Sequence, residues 1–100
     1  MRRGRRDNNH DRLKKVFEAM GCSVIDLTDT GIPGWPDMAV GLFGVTRLAE
    51  CKNPDNWYGR AGLNDNQTAF SRDWKGSTVH VVYTEDDVIN LVTSWRRGDK

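Results

Sequence analysis

The chain is short of several things, and each shortage excludes a class of protein. Its two cysteines, Cys22 and Cys51, are too few for a disulfide framework and lack the paired spacing of a zinc site. No apolar run approaches the roughly 20 residues that span a bilayer, which excludes a transmembrane helix, and no membrane partner is expected. The basic start, Met1 to Arg6, is not followed by an apolar stretch of signal-peptide type, so the expected setting is the reducing cytoplasm. One hundred residues suffice for one compact domain and are too few for two full-sized ones.

What is there fits an ordinary globular chain, 37% apolar and 29% charged. The net charge of +1 hides an asymmetry. Residues 1–15 carry seven Lys/Arg against two Asp, a local +5, and the remaining residues carry eight Lys/Arg against twelve Asp/Glu, a local −4. A basic arm on a mildly acidic body is the pattern expected of a polyanion partner, and equally of a solvated terminus.

Residues 1–8 have no periodicity and read as a flexible arm, with one domain over residues 9–100. From about Asn9 a helix is predicted, because Leu13, Val16, Phe17 and Met20 recur at helical spacing and Gly21 supplies a stop. Cys22 to Leu27 suits a short strand, and the Gly/Pro-rich TGIPGWPD that follows must be irregular. Met38–Leu42 and Val45–Cys51 read as two strands joined by a tight turn at Phe43-Gly44. A helix is expected from about Asn66 to Lys75, ended by Gly76. A buried strand is expected at TVHVVY (78–83), then a helix over Glu85–Arg96 capped by Thr84. The order α-β-β-β-α-β-α gives an α/β fold of mixed α+β type, with a mixed central sheet flanked by helices.

A turn at Phe43-Gly44 makes paired positions sum to 87. Asp37 then faces Glu50, and Lys52 shares the face of Glu50 because strand residues two apart point the same way. Two carboxylates this close repel unless a cation or a proton intervenes. The set suits metal-assisted phosphodiester hydrolysis. The acids would hold Mg²⁺ or Mn²⁺, the Cys51 backbone carbonyl would be a further oxygen ligand, and the lysine would orient water or stabilise the developing anion. A solvated strand face with a turn-capping aspartate fits the same spacing.

Pro36-Asp37, followed after twelve residues by Glu50-Cys51-Lys52, resembles the PD-(D/E)xK nuclease signature. The wider strings GIPGWPDMAVG, RLAECKNP and LNDNQTAF are similar to the virus-type replication–repair nuclease (VRR-NUC) branch, whose small stand-alone members occur in bacteriophages. The likeness runs from about residue 9 to residue 96. It implies the restriction-endonuclease-like αβββαβ core, and a Mg²⁺- or Mn²⁺-dependent DNA endonuclease in a bacterial or phage-infected cytoplasm. The DNA would be branched, of Holliday-junction type, and cut by a homodimer. Flap or nonspecific cleavage is the alternative within the class, and a non-catalytic DNA-binding module on the same fold is the alternative outside it.

Carried over by position, the resemblance makes Asp37 and Glu50 metal-binding acids, Lys52 the catalytic lysine and Gln67 the glutamine beside them. Read from the sequence alone, Gln67 is an ordinary helix-start residue. Family members often have a glutamate in the first helix that completes the metal site. Here that position falls near His10, which would substitute as a ligand, or Asp11 would with a register shift. Glu18 projects about 150° from the apolar stripe at 100° per residue and is expected in solvent. Cys51 stands where an aliphatic residue is usual and is expected to pack harmlessly in the core. Arg2, Arg3, Arg5 and Arg6 would attract phosphates. Trp57, Tyr58 and Arg60, in a loop after the catalytic strand, suit stacking and phosphate contact, and equally a mobile loop tip or a dimer contact. Trp35 is a wedge or a lid, and His80 a packed strand residue.

Overall fold

The structure is a computed structural model in which residues 8–55, 57 and 61–99 are described. The calls on Arg2, Arg3, Arg5, Arg6, Tyr58 and Arg60 lie outside those residues. The elements are α1 (Asn8–Ala19), β1 (Ser23–Asp26), β2 (Met38–Leu42), β3 (Val45–Cys51), α2 (Asp65–Asp73), β4 (Val79–Val82) and α3 (Glu85–Arg96). The strands form one mixed sheet in the order β1-β2-β3-β4, antiparallel except for the parallel β3–β4 pair. A parallel pair needs a crossover, and here the crossover carries α2. This is the α+β architecture read from the element order.

The hairpin register follows the sequence reading. Leu42 pairs with Val45, Gly41 with Thr46 and Ala39 with Leu48. The turn places both Phe43 (φ 52°) and Gly44 (φ 77°) in the left-handed region, as a two-residue turn matched to strand twist requires. Alternation along β3 then sends Ala49 and Cys51 to one sheet face, and Leu48 and Glu50 to the other.

The first face meets α1 and α3. Leu13 and Phe17 of α1, Val88, Val92 and Trp95 of α3, and Met38, Val40, Ala49 and Val82 of the sheet form the core. Phe17 stacks on Trp95 with ring centroids 6.1 Å apart. Thr84 caps α3 by accepting from the Asp87 N–H at 3.1 Å, while the Asp87 carboxylate accepts from Thr84 N–H at 3.0 Å. His80 packs edge-on against Trp95, as expected for a strand residue inside the fold.

Four elements differ in extent from the sequence reading, β4 among them, which runs over Val79–Val82 rather than 78–83. Asn8 already belongs to α1 rather than to the arm, β1 is shorter at both ends, and α2 begins at Asp65 and ends at Asp73. The α2 shift has a local cause. Asn64 is the N-cap, accepting from Gln67 N–H at 2.9 Å, and Trp74 leaves the helix with extended backbone before Gly76 is reached.

α2 lies over the second sheet face and buries no residue fully, so it is held by its edges. Trp35 of the Gly/Pro loop makes edge contacts with Phe70 and Trp74 at 5.1 and 5.7 Å, and those two rings stack on each other. Trp35 is thus a lid that ties the loop to α2. Gly34 sits beneath the start of α2 with φ 81°, and a Cβ there would collide with the Asn66 backbone carbonyl. Gly34→Ala should therefore cost about 1–3 kcal/mol and lower the melting temperature. A thermal scan that shows no loss would contradict this close approach.

Candidate active site

The site lies where β2 begins and β3 ends. Leu27 N–H donates to the Asp37 carbonyl at 2.8 Å, extending the β1–β2 ladder one step and fixing the Asp37 backbone. The Cys51 N–H donates to Asp37 Oδ2 at 2.8 Å. The carboxylate is thereby anchored at the strand end, between the two sheet faces.

On the α2 face, Glu50 is 4% exposed. Its Oε2 accepts from Gln67 Nε2 at 2.7 Å and lies 3.8 Å from Lys52 Nζ. Lys52 Nζ donates to Gln67 Oε1 at 2.7 Å. The same Gln67 Oε1 accepts from Asn64 N–H at 3.0 Å, completing the capping box of α2. One amide therefore starts a helix, holds the lysine and holds the acid. The sequence carried that signal as Asn64-x-x-Gln67, a capping-box spacing.

The electrostatics follow from the burial. Glu50 is pushed up from 4.5 to about 8, first by desolvation and then by the neighbouring Asp37 carboxylate, with Lys52 opposing. The Asp37 carboxylate is thus one of the charges that keep the proton on Glu50.

On the α1 face stands a second group. His10 is 4% exposed, and its Nε2 lies 2.7 Å from Asp26 Oδ1. Lys14 Nζ reaches the other Asp26 oxygen at 3.3 Å. A His10 ring nitrogen, an Asp37 carboxylate oxygen and the Cys51 sulfur all lie within 4.8 Å of one another. The expectation that His10 would approach the acids is met at Asp37. Cys51 packs against the core as expected, and its sulfur lies at the edge of that packing, near His10 and Asp37. Asp11 and Glu18 are exposed and outside the group.

Two residues escaped the sequence reading. Asn9, 6% exposed, donates through Nδ2 to the Lys52 carbonyl at 2.7 Å and the Tyr83 carbonyl at 3.1 Å. It fastens α1 to the ends of β3 and β4, and its amide accepts from Arg12. Asp26 orients His10. Neither had a motif, since each acts on partners far away in the chain. Trp57 is 62% exposed in the loop after β3.

Comparison with protein-family models, with curated proteins and with solved structures finds no significant match to this chain.

Glu50 makes stability depend on pH. The folded state keeps its proton up to about pH 8, while the unfolded chain releases it near 4.5. The folded state therefore binds more protons across that window, and stability falls as pH rises through it. Glu50→Gln should remove this fall. In the absence of metal it should match the wild type near pH 4 and exceed it near pH 8.5, and parallel melting curves of the two proteins across that range would refute the shift.

Proposed function

We propose that the chain is a divalent-metal-dependent phosphodiesterase acting on DNA, an endonuclease selective for branched, junction-type structures. One observation carries the reading: a buried Glu50 beside the half-buried Asp37 carboxylate, a lysine 3.8 Å from Glu50, and a glutamine bonded to both lysine and Glu50. The likeness of the PD…ECK spacing to VRR-NUC nucleases supports the same conclusion. No helix of the described residues is long and apolar enough to cross a membrane.

The donor set fits a hard divalent cation. A buried acid kept protonated partly by a second carboxylate beside it is an arrangement that a cation relieves, and oxygen ligands are what Mg²⁺ and Mn²⁺ take. Asp37, Glu50 and the Cys51 carbonyl would hold the ion. When bound it would stabilise charge on the phosphoryl oxygens and lower the pKa of a coordinated water.

The side chains divide the remaining work. Lys52 supplies a positive donor beside the carboxylates, suited to the negative charge that develops on phosphorus-bound oxygens. Gln67 Oε1 fixes that ammonium at 2.7 Å, and Gln67 Nε2 fixes Glu50 at 2.7 Å, so the separation between acid and base is set before substrate arrives. Glu50 must give up its proton for the acids to act as a pair, which favours activity on the alkaline side of neutrality. The exposed Trp57 ring suits stacking on an unpaired base, and the basic residues 1–15 suit phosphate contact that weakens with salt. One chain has one such site, so symmetric cutting of a junction calls for a two-fold homodimer.

The full chain incubated with junction, flap and linear duplex DNA, in Mg²⁺, Mn²⁺ or chelator, tests the reading. Junction cleavage that needs metal is expected. It should drop about 10²–10³-fold in Asp37→Ala and Lys52→Ala, and less in Gln67→Ala. Cleavage that survives either of the first two substitutions would remove the site assignment. Salt-sensitive binding without cleavage in every metal would replace the enzyme by a binding module, and a preference for flaps or no preference would change the substrate.

A further inference from the structure

Asp37 is approached from two sides, and the two sides differ in chemistry. Toward α2 it meets an oxygen acid and an ammonium. Toward α1 it meets an imidazole and a thiol, with one ligand atom from each of His10, Asp37 and Cys51 inside a 4.8 Å span. We propose that the α1 side is a separate binding site for a borderline-to-soft transition metal of the zinc and cobalt class, held by His10, Asp37 and the Cys51 thiolate.

The donor set argues for the class of metal. Nitrogen, oxygen and sulfur together suit Zn²⁺ or Co²⁺, whereas Mg²⁺ and Ca²⁺ avoid thiolate. Zinc bonds are roughly 2.0–2.3 Å long, so an ion would draw the three groups inward within the reach of side-chain rotation. The fourth position would go to water.

The surroundings argue that the group is built. His10 is almost fully buried and its ring is held by Asp26 at 2.7 Å, itself braced by Lys14. A carboxylate behind a histidine sets ring orientation and tautomer in metal sites. The Asp26 carboxylate, an acceptor, holds the ring through Nε2. Asp37 is fixed by the Cys51 N–H, and Cys51 is fixed by the strand it ends. Binding would displace the thiol proton to solvent and leave the cysteine as thiolate.

This site shares Asp37 with the proposed hydrolytic site but needs neither Glu50 nor Lys52. An ion here would therefore compete for the carboxylate that the hydrolytic ion requires. A zinc-class metal would inhibit cleavage supported by Mg²⁺.

Cobalt is the probe, since a thiolate bound to Co²⁺ gives a near-ultraviolet charge-transfer band. The full chain, kept reduced with a non-thiol reductant, is titrated with Co²⁺ as wild type and as Cys22→Ser, Cys51→Ser, Cys51→Ala, Glu50→Gln and Asp26→Asn. The band is expected in the wild type, Cys22→Ser and Glu50→Gln, and its loss in both Cys51 variants. Asp26→Asn should weaken Co²⁺ binding about 10–100-fold. Millimolar Mg²⁺ should leave the band in place, and Zn²⁺ should remove it. A wild type without the band overturns the proposal whether or not the variants fold. So does a band that survives in either Cys51 variant or disappears in Cys22→Ser. Glu50→Gln separates this proposal from the nuclease reading: a chain that gives the band but never cleaves DNA keeps this site and loses the other, and one that cleaves without the band does the reverse.

Discussion

The contact between the Asp37 and Glu50 carboxylates is the constraint around which the site is arranged. Water would separate two such groups. Here the β2–β3 pairing, which ends at Met38 and Ala49, brings them together just beyond it, and burial of Glu50 removes solvent that would screen them. The proton kept on Glu50 and the charge of Lys52 beside it offset part of the cost, and the glutamine supplies a donor to the more buried acid. An arrangement that is unfavourable by itself, and relieved by positive charge, is more readily understood as a binding device than as a stabilising one.

Two amide side chains keep that arrangement in place from opposite sides of the sheet. Gln67 joins Glu50, Lys52 and the first turn of α2, so the helix cannot shift without moving the acid and the lysine with it. Asn9 joins α1 to the last carbonyls of β3 and β4. Gly34 and Trp35 press the preceding loop onto α2 from outside. The helix needs these ties because it has no fully buried residue of its own. Its position is set by polar contacts and aromatic edges rather than by a core.

Much of the framework was legible in the chain itself. The apolar spacing in α1 and α3, the Thr84 cap and the two-residue turn at Phe43-Gly44 are local signals, and the structure follows them. The turn in turn fixed the register, which put Asp37 opposite Glu50 without any knowledge of the fold. The roles of Asn9 and Asp26 were not legible, because their partners lie 74 and 16 residues away and no local pattern announces such contacts. Alternation assigned Cys51 to the core face, where it packs, but alternation alone does not bring His10 and Asp37 close to its sulfur. Gln67 was placed by likeness to a family, although the capping spacing from Asn64 was present to be read.

The span of chain behind each half of the site differs, and so does the entropic cost of closing it. Asp37, Glu50, Lys52 and Gln67 lie within one continuous stretch that a hairpin and one following helix bring together. The imidazole arrives on α1, whose Asn9 contacts close loops of 43 and 74 residues. Loop closure is an entropic cost met before such contacts form. The acid–lysine–glutamine half therefore rests on contacts 15 and 17 residues apart, and the larger loop-closure cost falls on the histidine half.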